Sequence, residues 1–383
     1  MHKPSSVEAW LEQLHMPTAD RDYQPGHARM HRLLQAIHPQ RPGLRIRIAG
    51  TNGKGSTAFM LAHALQAAGL KVGLYTSPHL RRFHERIRID GLPADDATLR
   101  AGLAQIMPLA LEIGASYFEV ATALALLVFS REEVDVEVLE AGVGARLDAT
   151  TAVDADMALI TPIALDHQDW LGDCIEEIAR EKAHVMDGCR WAIAAPQPDA
   201  VMRVLRRYRP GLQLAEADDE LPPLAAKGEH QRVNAALARA GAMKLLAEKV
   251  IIADPSLLTQ AIAGTAIPGR LQHVCWHGCD VWLDAAHNPH AVEALLPSLP
   301  DLADPFDAIM VFTREDRDLS TATAWLRPLA RRLVGGQGGL DAHYPDVATA
   351  LEAERNIRPK GRFLLLGSFT TVAAAWQYME GMS

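Results

Sequence analysis

Apolar residues recur along this chain in two rhythms. Over Leu44–Ala49 the row reads L-R-I-R-I-A, with Ile46 and Ile48 separated by Arg47, a spacing that predicts a strand. After a run of glycines, Phe59, Met60, Ala64 and Leu65 fall near one face of a helix predicted over Thr57–Ala68, with Gly69 as its stop. Val72–Thr76 is the next apolar run. Strand, loop, helix, strand is a βαβ unit, which implies a parallel sheet with right-handed crossovers. The rhythm continues with a helix over Tyr117–Phe129, a strand over Val134–Leu139 ending at Glu140, and a strand over Met157–Ile163 that delivers Asp166 and His167. A helix follows over Ile175–Met186, a polar loop over 211–228, and another helix over 231–249. Residues before Leu44 read as helix and loop.

The pattern changes at Ile267-Pro268-Gly269. Beyond it, Val274–Trp276 and Val281–Leu283 predict two strands of a hairpin turning at His277-Gly278. Later strands are expected over Ala308–Phe312 and Phe363–Leu366, separated by helical stretches. The expected fold class is therefore α/β in two domains, residues 1–268 and a smaller α/β domain over 269–383.

Composition narrows the function. The 383 residues suffice for two or three domains, and 49% are hydrophobic, ordinary for a soluble globular chain. Apolar stretches such as Ala121–Phe129 fall short of the ~20 residues that cross a bilayer. Met1-His2-Lys3-Pro4 is not followed by the apolar core of a secretion signal. A net charge of −9 argues against broad nucleic-acid binding, which needs a cationic surface. The four cysteines, Cys174, Cys189, Cys275 and Cys279, are too few for a disulfide framework, so a cytoplasmic location is expected.

The chemistry starts at Gly50-Thr51-Asn52-Gly53-Lys54-Gly55-Ser56-Thr57. A glycine-rich loop between strand and helix offers backbone N–H groups and a helix N-terminus to phosphate, so this segment is expected to bind ATP. Lys54 would reach the β- and γ-phosphates, and the Ser56 hydroxyl would sit on Mg²⁺. The spacing G-x-x-G-K-G-S is shorter than the common G-x-x-x-x-G-K-[ST]. Glu140, a carboxylate closing an apolar strand, suits Mg²⁺, although strand-end acids also occur simply solvated. His167 on general chemistry is an unusual Mg²⁺ ligand and by pattern alone reads as a polar loop residue. Lys182 shares a helical face with Ile175, Ile178 and Ala179. It is either a lysine with its head in water or a buried amine of depressed pKa, able to form a carbamate with carbon dioxide.

A series of segments, in order, resembles the folylpolyglutamate synthase/dihydrofolate synthase branch of the Mur ligase family. They are AGTNGKGST (49–57), YTSPHL (75–80), ERIRIDG (85–91), FEVATALAL (118–126), EVLEAGVGARLDAT (137–150), ALDHQDWLG (164–172), REKA (180–183), GEHQRVNAALA (228–238), PGRLQ (268–272), LDAAHNPHA (283–291) and LLGSF (365–369). The resemblance implies an N-terminal P-loop ATPase domain with a mostly parallel sheet and a C-terminal Rossmann-like α/β domain, with ATP in the cleft between them. It implies an amide ligase that adds L-glutamate to dihydropteroate or a folate through an acyl phosphate. Carried over residue by residue, Ser56, Glu140, His167 and a carbamylated Lys182 become ligands of two magnesium ions. Asn234, Arg270, Asp284 and His287 become ATP contacts, and Lys54, His167, Lys182, Arg270 and His287 the catalytic set. Ser368 lies near the glutamate site, and Ser77-Pro78-His79 and Ala164-Leu165-Asp166 near the acid pocket. A monomer, without nucleic-acid or membrane partners, is also implied.

The resemblance weakens at three places. The 190–228 region is short and lacks a strand pair. His15-Met16-Pro17 to Pro25-Gly26-His27-Ala28-Arg29 matches the pterin-proximal region only loosely. Phe312-Thr313-Arg314-Glu315-Asp316-Arg317-Asp318 carries Phe312 for a glycine and Arg317 for a lysine, and Arg and Lys are not interchangeable at a shaped site. A diverged ligase joining another acid and amino acid is the alternative. A nucleotide-binding regulator that has lost catalysis is a third reading, opposed by the intact Lys54, Glu140, His167, Lys182 and Asp284. His273-x-Cys275-x-His277-x-Cys279 imitates a zinc cluster, but strand alternation across the His277-Gly278 turn accounts for it.

Overall fold

A computed structural model describes residues 4, 6–14, 26–216, 221–303, 305–314, 319–336 and 340–381. The expectations at 15–25 and 315–318 lie outside these residues. The chain divides into two compact units, Met1–Pro223 with Val233–Thr265, and Leu224–Arg232 with Ala266–Ser383. The helix His230–Ala247 is therefore shared, its first three residues grouping with the second unit.

The first unit is built on an eight-stranded sheet. Its strands in chain order are β1 (Leu44–Ala49), β2 (Val72–Tyr75), β3 (Ile87–Ile89), β4 (Leu92–Pro93), β5 (Val136–Glu140), β6 (Met157–Ile160), β7 (Trp191–Ala194) and β8 (Gln213–Leu214). The spatial order is β4-β3-β2-β5-β1-β6-β7-β8. Strands β2, β5, β1, β6, β7 and β8 run parallel, and only β3 and β4 are antiparallel. Parallel sheets need both faces covered, and all six residues of β1 are buried. The helices Val7–Leu11, His27–Ile37, Asp96–Ile113 and Tyr117–Arg131 cover one face over β2 and β5, and Ile175–Ala183 and Asp199–Tyr208 continue that layer over β6 and β7. The helices Lys54–Ala67 and Pro255–Ala263 pack together on the opposite side, where Gly241 of His230–Ala247 lies against Leu159 and Met157 of β6.

The alternation that marked β1 as a strand does not mark a wet face. Arg45 and Arg47 are buried, like Ile46 between them. Arg45 Nε donates to Glu137 Oε2 of β5 at 2.5 Å and its Nη1 to the Asp154 carbonyl at 2.9 Å. Arg47 donates to the Asp187 carbonyl and lies 3.3 Å from Cys189 Sγ.

The second unit has a six-stranded sheet of β9 (Gln272–Trp276), β10 (Cys279–Asp284), β11 (Ala308–Val311), β12 (Leu333–Gly335), β13 (Ala342–His343) and β14 (Arg362–Leu366). The order is β13-β12-β11-β14-β10-β9, parallel except for β9. The β9–β10 hairpin turns at His277 (φ 48°) and Gly278 (φ 81°), two left-handed residues as a tight two-residue turn requires. The composition shift at Ile267-Pro268-Gly269 follows the passage from Thr265 to Ala266 between the units.

Candidate nucleotide and acid-activation site

The phosphate loop leaves β1 at Gly50 and enters the helix Lys54–Ala67 at Gly53. Both glycines are required by their surroundings. A Cβ on Gly50 (φ 150°) would lie 1.9 Å from Thr161 Oγ1, and one on Gly53 (φ 87°) 2.1 Å from Asn234 Oδ1. Asn234, from the helix His230–Ala247, thus sits against the loop. Thr51 clamps the loop to the segment after β6: its N–H donates to the Pro162 carbonyl at 3.0 Å, its hydroxyl donates to the Ala164 carbonyl at 3.0 Å, and the Ala164 N–H returns a bond at 3.0 Å. Lys54 Nζ folds over the loop onto the carbonyls of Thr51 (3.0 Å) and Gly50 (3.3 Å). The first-turn N–H groups of a 14-residue helix close the cradle.

The carboxylate of Glu140 stands beside this loop. Glu140 is buried at the end of β5, Oε2 accepts from the Ser77 N–H at 2.8 Å, and a Cβ on Gly55 would meet Oε2 at 3.4 Å. The neighbouring Ser56 Oγ is buried with no hydrogen-bond partner among the described residues. A buried hydroxyl without a partner costs about 1–3 kcal/mol. An oxygen-seeking cation shared with Glu140 fits the pair.

Lys182 reaches the same loop from the other side of the sheet edge. The helix Ile175–Ala183 buries Ile178, Ala179 and Lys182 together, so the expected face is present, but the amine is not in water. Its Nζ donates to the Gly50 carbonyl at 2.8 Å. Burial first, and the ammonium of Lys54 second, lower its pKa from 10.5 to about 7. Asp166 is buried and His167 partly exposed, in a left-handed conformation (φ 51°) that starts the turn Gln168–Leu171. The His167 N–H donates to Asp166 Oδ1 at 2.9 Å, and its Nε2 is 4.0 Å from Asp166 Oδ2. Among the described residues, no three His, Cys, Asp or Glu side chains cluster as a metal site, at 273–279 or elsewhere.

Ser77, Pro78 and His79 follow β2, with a cis Ser77–Pro78 bond, next to Glu140. Two residues inside the quoted segments had no role from sequence and are brought here. Arg86, 9% exposed, donates from Nε to His79 Nδ1 at 2.8 Å and lies 5.3 Å from the Tyr117 ring centre. Asp148 is buried and accepts from the Gly142 and Thr150 N–H groups, both at 2.9 Å, and from the Thr150 hydroxyl at 2.6 Å. It ties down the loop that follows Glu140, while burial raises its pKa against those bonds.

The remaining expected residues belong to the second unit. Asp284 closes β10, with Oδ2 accepting from the Leu271 N–H and Oδ1 from the Ala286 N–H, each at 2.8 Å. His287 Nδ1 is 2.9 Å from the Ala285 carbonyl. Arg270 lies 4.8 Å from the ring centre of Phe369. Ser368 follows β14, and its hydroxyl accepts from the Thr371 N–H at 3.0 Å. Phe312 follows β11, its ring close to Gly336 and its carbonyl accepting from Thr371 Oγ1 at 2.7 Å.

The dihydrofolate synthase/folylpolyglutamate synthase of Escherichia coli is 32% identical over 403 aligned residues, covering 97% of this chain and 94% of that protein. The chain belongs to the dihydrofolate synthase/folylpolyglutamate synthase family. The Mur ligase middle domain matches residues 48–195, which span the phosphate loop, Glu140, His167 and Lys182. Two solved members of the family share the fold. Escherichia coli FolC in complex with DHPP and ADP has a TM-score of 0.84 and 30% identity, covering 100% of this chain and 99% of its own. An FPGS–AMPPCP–folate complex has a TM-score of 0.83 and 27% identity, covering 97% and 98%.

Proposed function

We propose that this chain is an ATP-dependent ligase that adds L-glutamate to dihydropteroate or a folate. The observation that carries the reading is the buried Lys182 amine on the Gly50 carbonyl, beside a phosphate loop that faces Glu140. A nucleotide loop alone fits many enzymes. A phosphate loop with a strand-end carboxylate and a buried lysine whose amine is partly neutral near pH 7 fits acid activation, in line with the family's named members and their nucleotide complexes.

In this reading the acid's carboxylate oxygen attacks the γ-phosphorus, the bond to ADP breaks, and an acyl phosphate forms. The glutamate amine then attacks the acyl carbon, loses a proton and expels phosphate. Lys54 and the loop N–H groups hold the phosphates, and positioning with charge neutralisation does most of the work. Ser56, Glu140 and His167 are the magnesium ligands. Bound magnesium supplies neutralisation of phosphate charge. The neutral Lys182 amine is able to attack carbon dioxide, forming an N–C bond and releasing a proton; the resulting carbamate adds a carboxylate for a second magnesium. Asn234 is the nucleotide contact of the first unit, and Arg270, Asp284 and His287 those of the second. Ser77, Pro78, His79 and Asp166 serve the acid and Ser368 the glutamate. The division into an ATP-binding domain (1–268) and a ligase domain (269–383), and a cytoplasmic monomer, belong to the same reading.

The test is turnover by purified protein with ATP, magnesium and glutamate. Phosphate release coupled to a glutamate-extended product from dihydropteroate or tetrahydrofolate is expected; no product from either acid overturns the assignment. One observation favours a second reading, a ligase with another acid or amine. Phe312 places a full aromatic ring at the end of β11, against Gly336. Phosphate release with a different amino acid, and none with glutamate, decides for it.

A further inference from the structure

We infer that His79 is a positioning residue whose neutral ring holds Arg86 without spending its charge, reserving that charge for the carboxylate of the acid substrate. The inference rests on the ligase reading and deepens it.

Arg86 is almost fully buried, and among the described residues it has no ion pair. A buried guanidinium normally has a carboxylate partner. Here Nε goes to His79 Nδ1 at 2.8 Å. Arginine only donates, so Nδ1 must carry a lone pair, which fixes the ring as neutral with its proton on Nε2. Burial and the adjacent Arg86 hold the imidazole pKa down to about 4. The acids nearby are engaged or unbonded. Glu85 has its oxygens on the N–H groups of Leu80, Arg81 and Arg82. Glu8, from the helix Val7–Leu11, acts on His79 and Tyr117 only through space. His84, the remaining ionisable neighbour, is 3.5 Å from Asp96. Tyr117 offers Arg86 a ring face and Phe83 packs edge-on against both His79 and Tyr117. The cation is thus oriented by two neutral groups, His79 and Tyr117, and Phe83 packs against both of them.

Its place in the fold suits an anion-binding role. The Arg86 carbonyl accepts from the Thr76 N–H at 3.0 Å, and the next residue, Ser77, donates to Glu140. Arg86 is therefore fixed to the backbone segment that contacts the candidate magnesium carboxylate. A carboxylate at position 79 would pair with Arg86 and occupy it. An amide oxygen there would not, and the Oδ1 of asparagine lies close to where Nδ1 of histidine lies.

The test compares wild type, His79→Asn and His79→Asp in dihydropteroate-dependent glutamate ligation, with KM measured separately for dihydropteroate and for ATP. His79→Asp is expected to raise the dihydropteroate KM by about tenfold or more, the scale of one charge-assisted hydrogen bond. His79→Asn should stay within about threefold on the same scale. The ATP KM should be unchanged in both, which also reports that they are folded. Equal dihydropteroate KM in all three proteins, or losses of similar size in both variants, overturns the inference and leaves the ligase reading standing. A wild-type protein that ligates glutamate to no folate-type acid overturns the ligase reading, and the inference with it.

Discussion

Replacing Lys182 with methionine should stabilise this protein at neutral pH while abolishing its ligase activity. Lys182 is 3% exposed, and the pKa of its amine falls from 10.5 to about 7 through burial and the nearby Lys54. At roughly 1.4 kcal/mol per pH unit, holding the ammonium there costs about 5 kcal/mol relative to the unfolded chain. From about pH 7 up to 10.5 the unfolded chain binds this proton and the folded chain does not, so wild-type stability rises with pH across that window. Below about pH 7 both states bind it and the full penalty is constant. Methionine has no charge to bury but gives up the bond from Nζ to the Gly50 carbonyl, worth about 1 kcal/mol. The variant should therefore exceed wild type by about 4 kcal/mol at neutral pH, shrinking to near zero by about pH 10. The assay is urea unfolding of both proteins in carbon-dioxide-free buffers from about pH 6 to about pH 10. Taking the difference at each pH cancels the titrating groups that are not coupled to Lys182; those coupled to it are Lys54, Asp166 and Asp148. Added bicarbonate at neutral pH should stabilise wild type alone if the carbamate forms. A difference that does not change with pH, or a methionine variant less stable at neutral pH, refutes a buried amine of depressed pKa.

Other substitutions separate scaffold from chemistry. Ser56→Ala removes a buried oxygen that has no partner among the described residues, so metal-free stability should rise by about 1 kcal/mol while the magnesium requirement of turnover shifts to higher concentration; urea unfolding without magnesium and a magnesium titration of ATP-dependent phosphate release read the two effects. Gly53→Ala forces a side chain into a left-handed position and against Asn234, costing at least about 1–3 kcal/mol in urea unfolding and raising the KM for ATP. Arg45→Met leaves Glu137 alone in the core and should cost about 3–5 kcal/mol, much of it regained in the Arg45→Met, Glu137→Leu double variant.

Much of the first sheet was legible because its central strands carry dense apolar runs. β1, β2, β5 and β6 all fall inside the expected segments or within a residue of them. Their ends were placed less well, since apolar runs continue past the last ladder bond. Met157–Ile163 stops pairing at Ile160, where the chain turns to meet the phosphate loop. The helix after the loop begins at Lys54, three residues before the expected Thr57, because Gly53 itself supplies the left-handed start. Short edge strands left little trace: β8 is two residues, both exposed, in a segment that reads as loop. The buried Arg45 and Arg47 show the limit of alternation as a guide. A parallel strand covered on both faces still accepts polar residues if partners such as Glu137 and the Asp154 and Asp187 carbonyls wait on the neighbouring elements.

The site was legible unevenly for a related reason. The phosphate loop is local, so its glycines and Lys54 announce themselves within eight residues. Lys182 is separated from Gly50 by 132 positions, and only the fold brings its amine to that carbonyl. Helical spacing could place Lys182 on an apolar face but could not say whether the face ended in water or in the core, and that distinction decides whether the amine is an ammonium or a nucleophile. His79 and Arg86 repeat the point at short range. They are seven residues apart and separated by a turn, and neither residue type announces a neutral partner for a cation. That pairing becomes meaningful only once the bonds of Glu85 to Leu80, Arg81 and Arg82 are seen, because they remove the acid that would otherwise have claimed the guanidinium. A charge in a site is set by which neighbours are already engaged, and that information is carried by backbone N–H groups as much as by side chains.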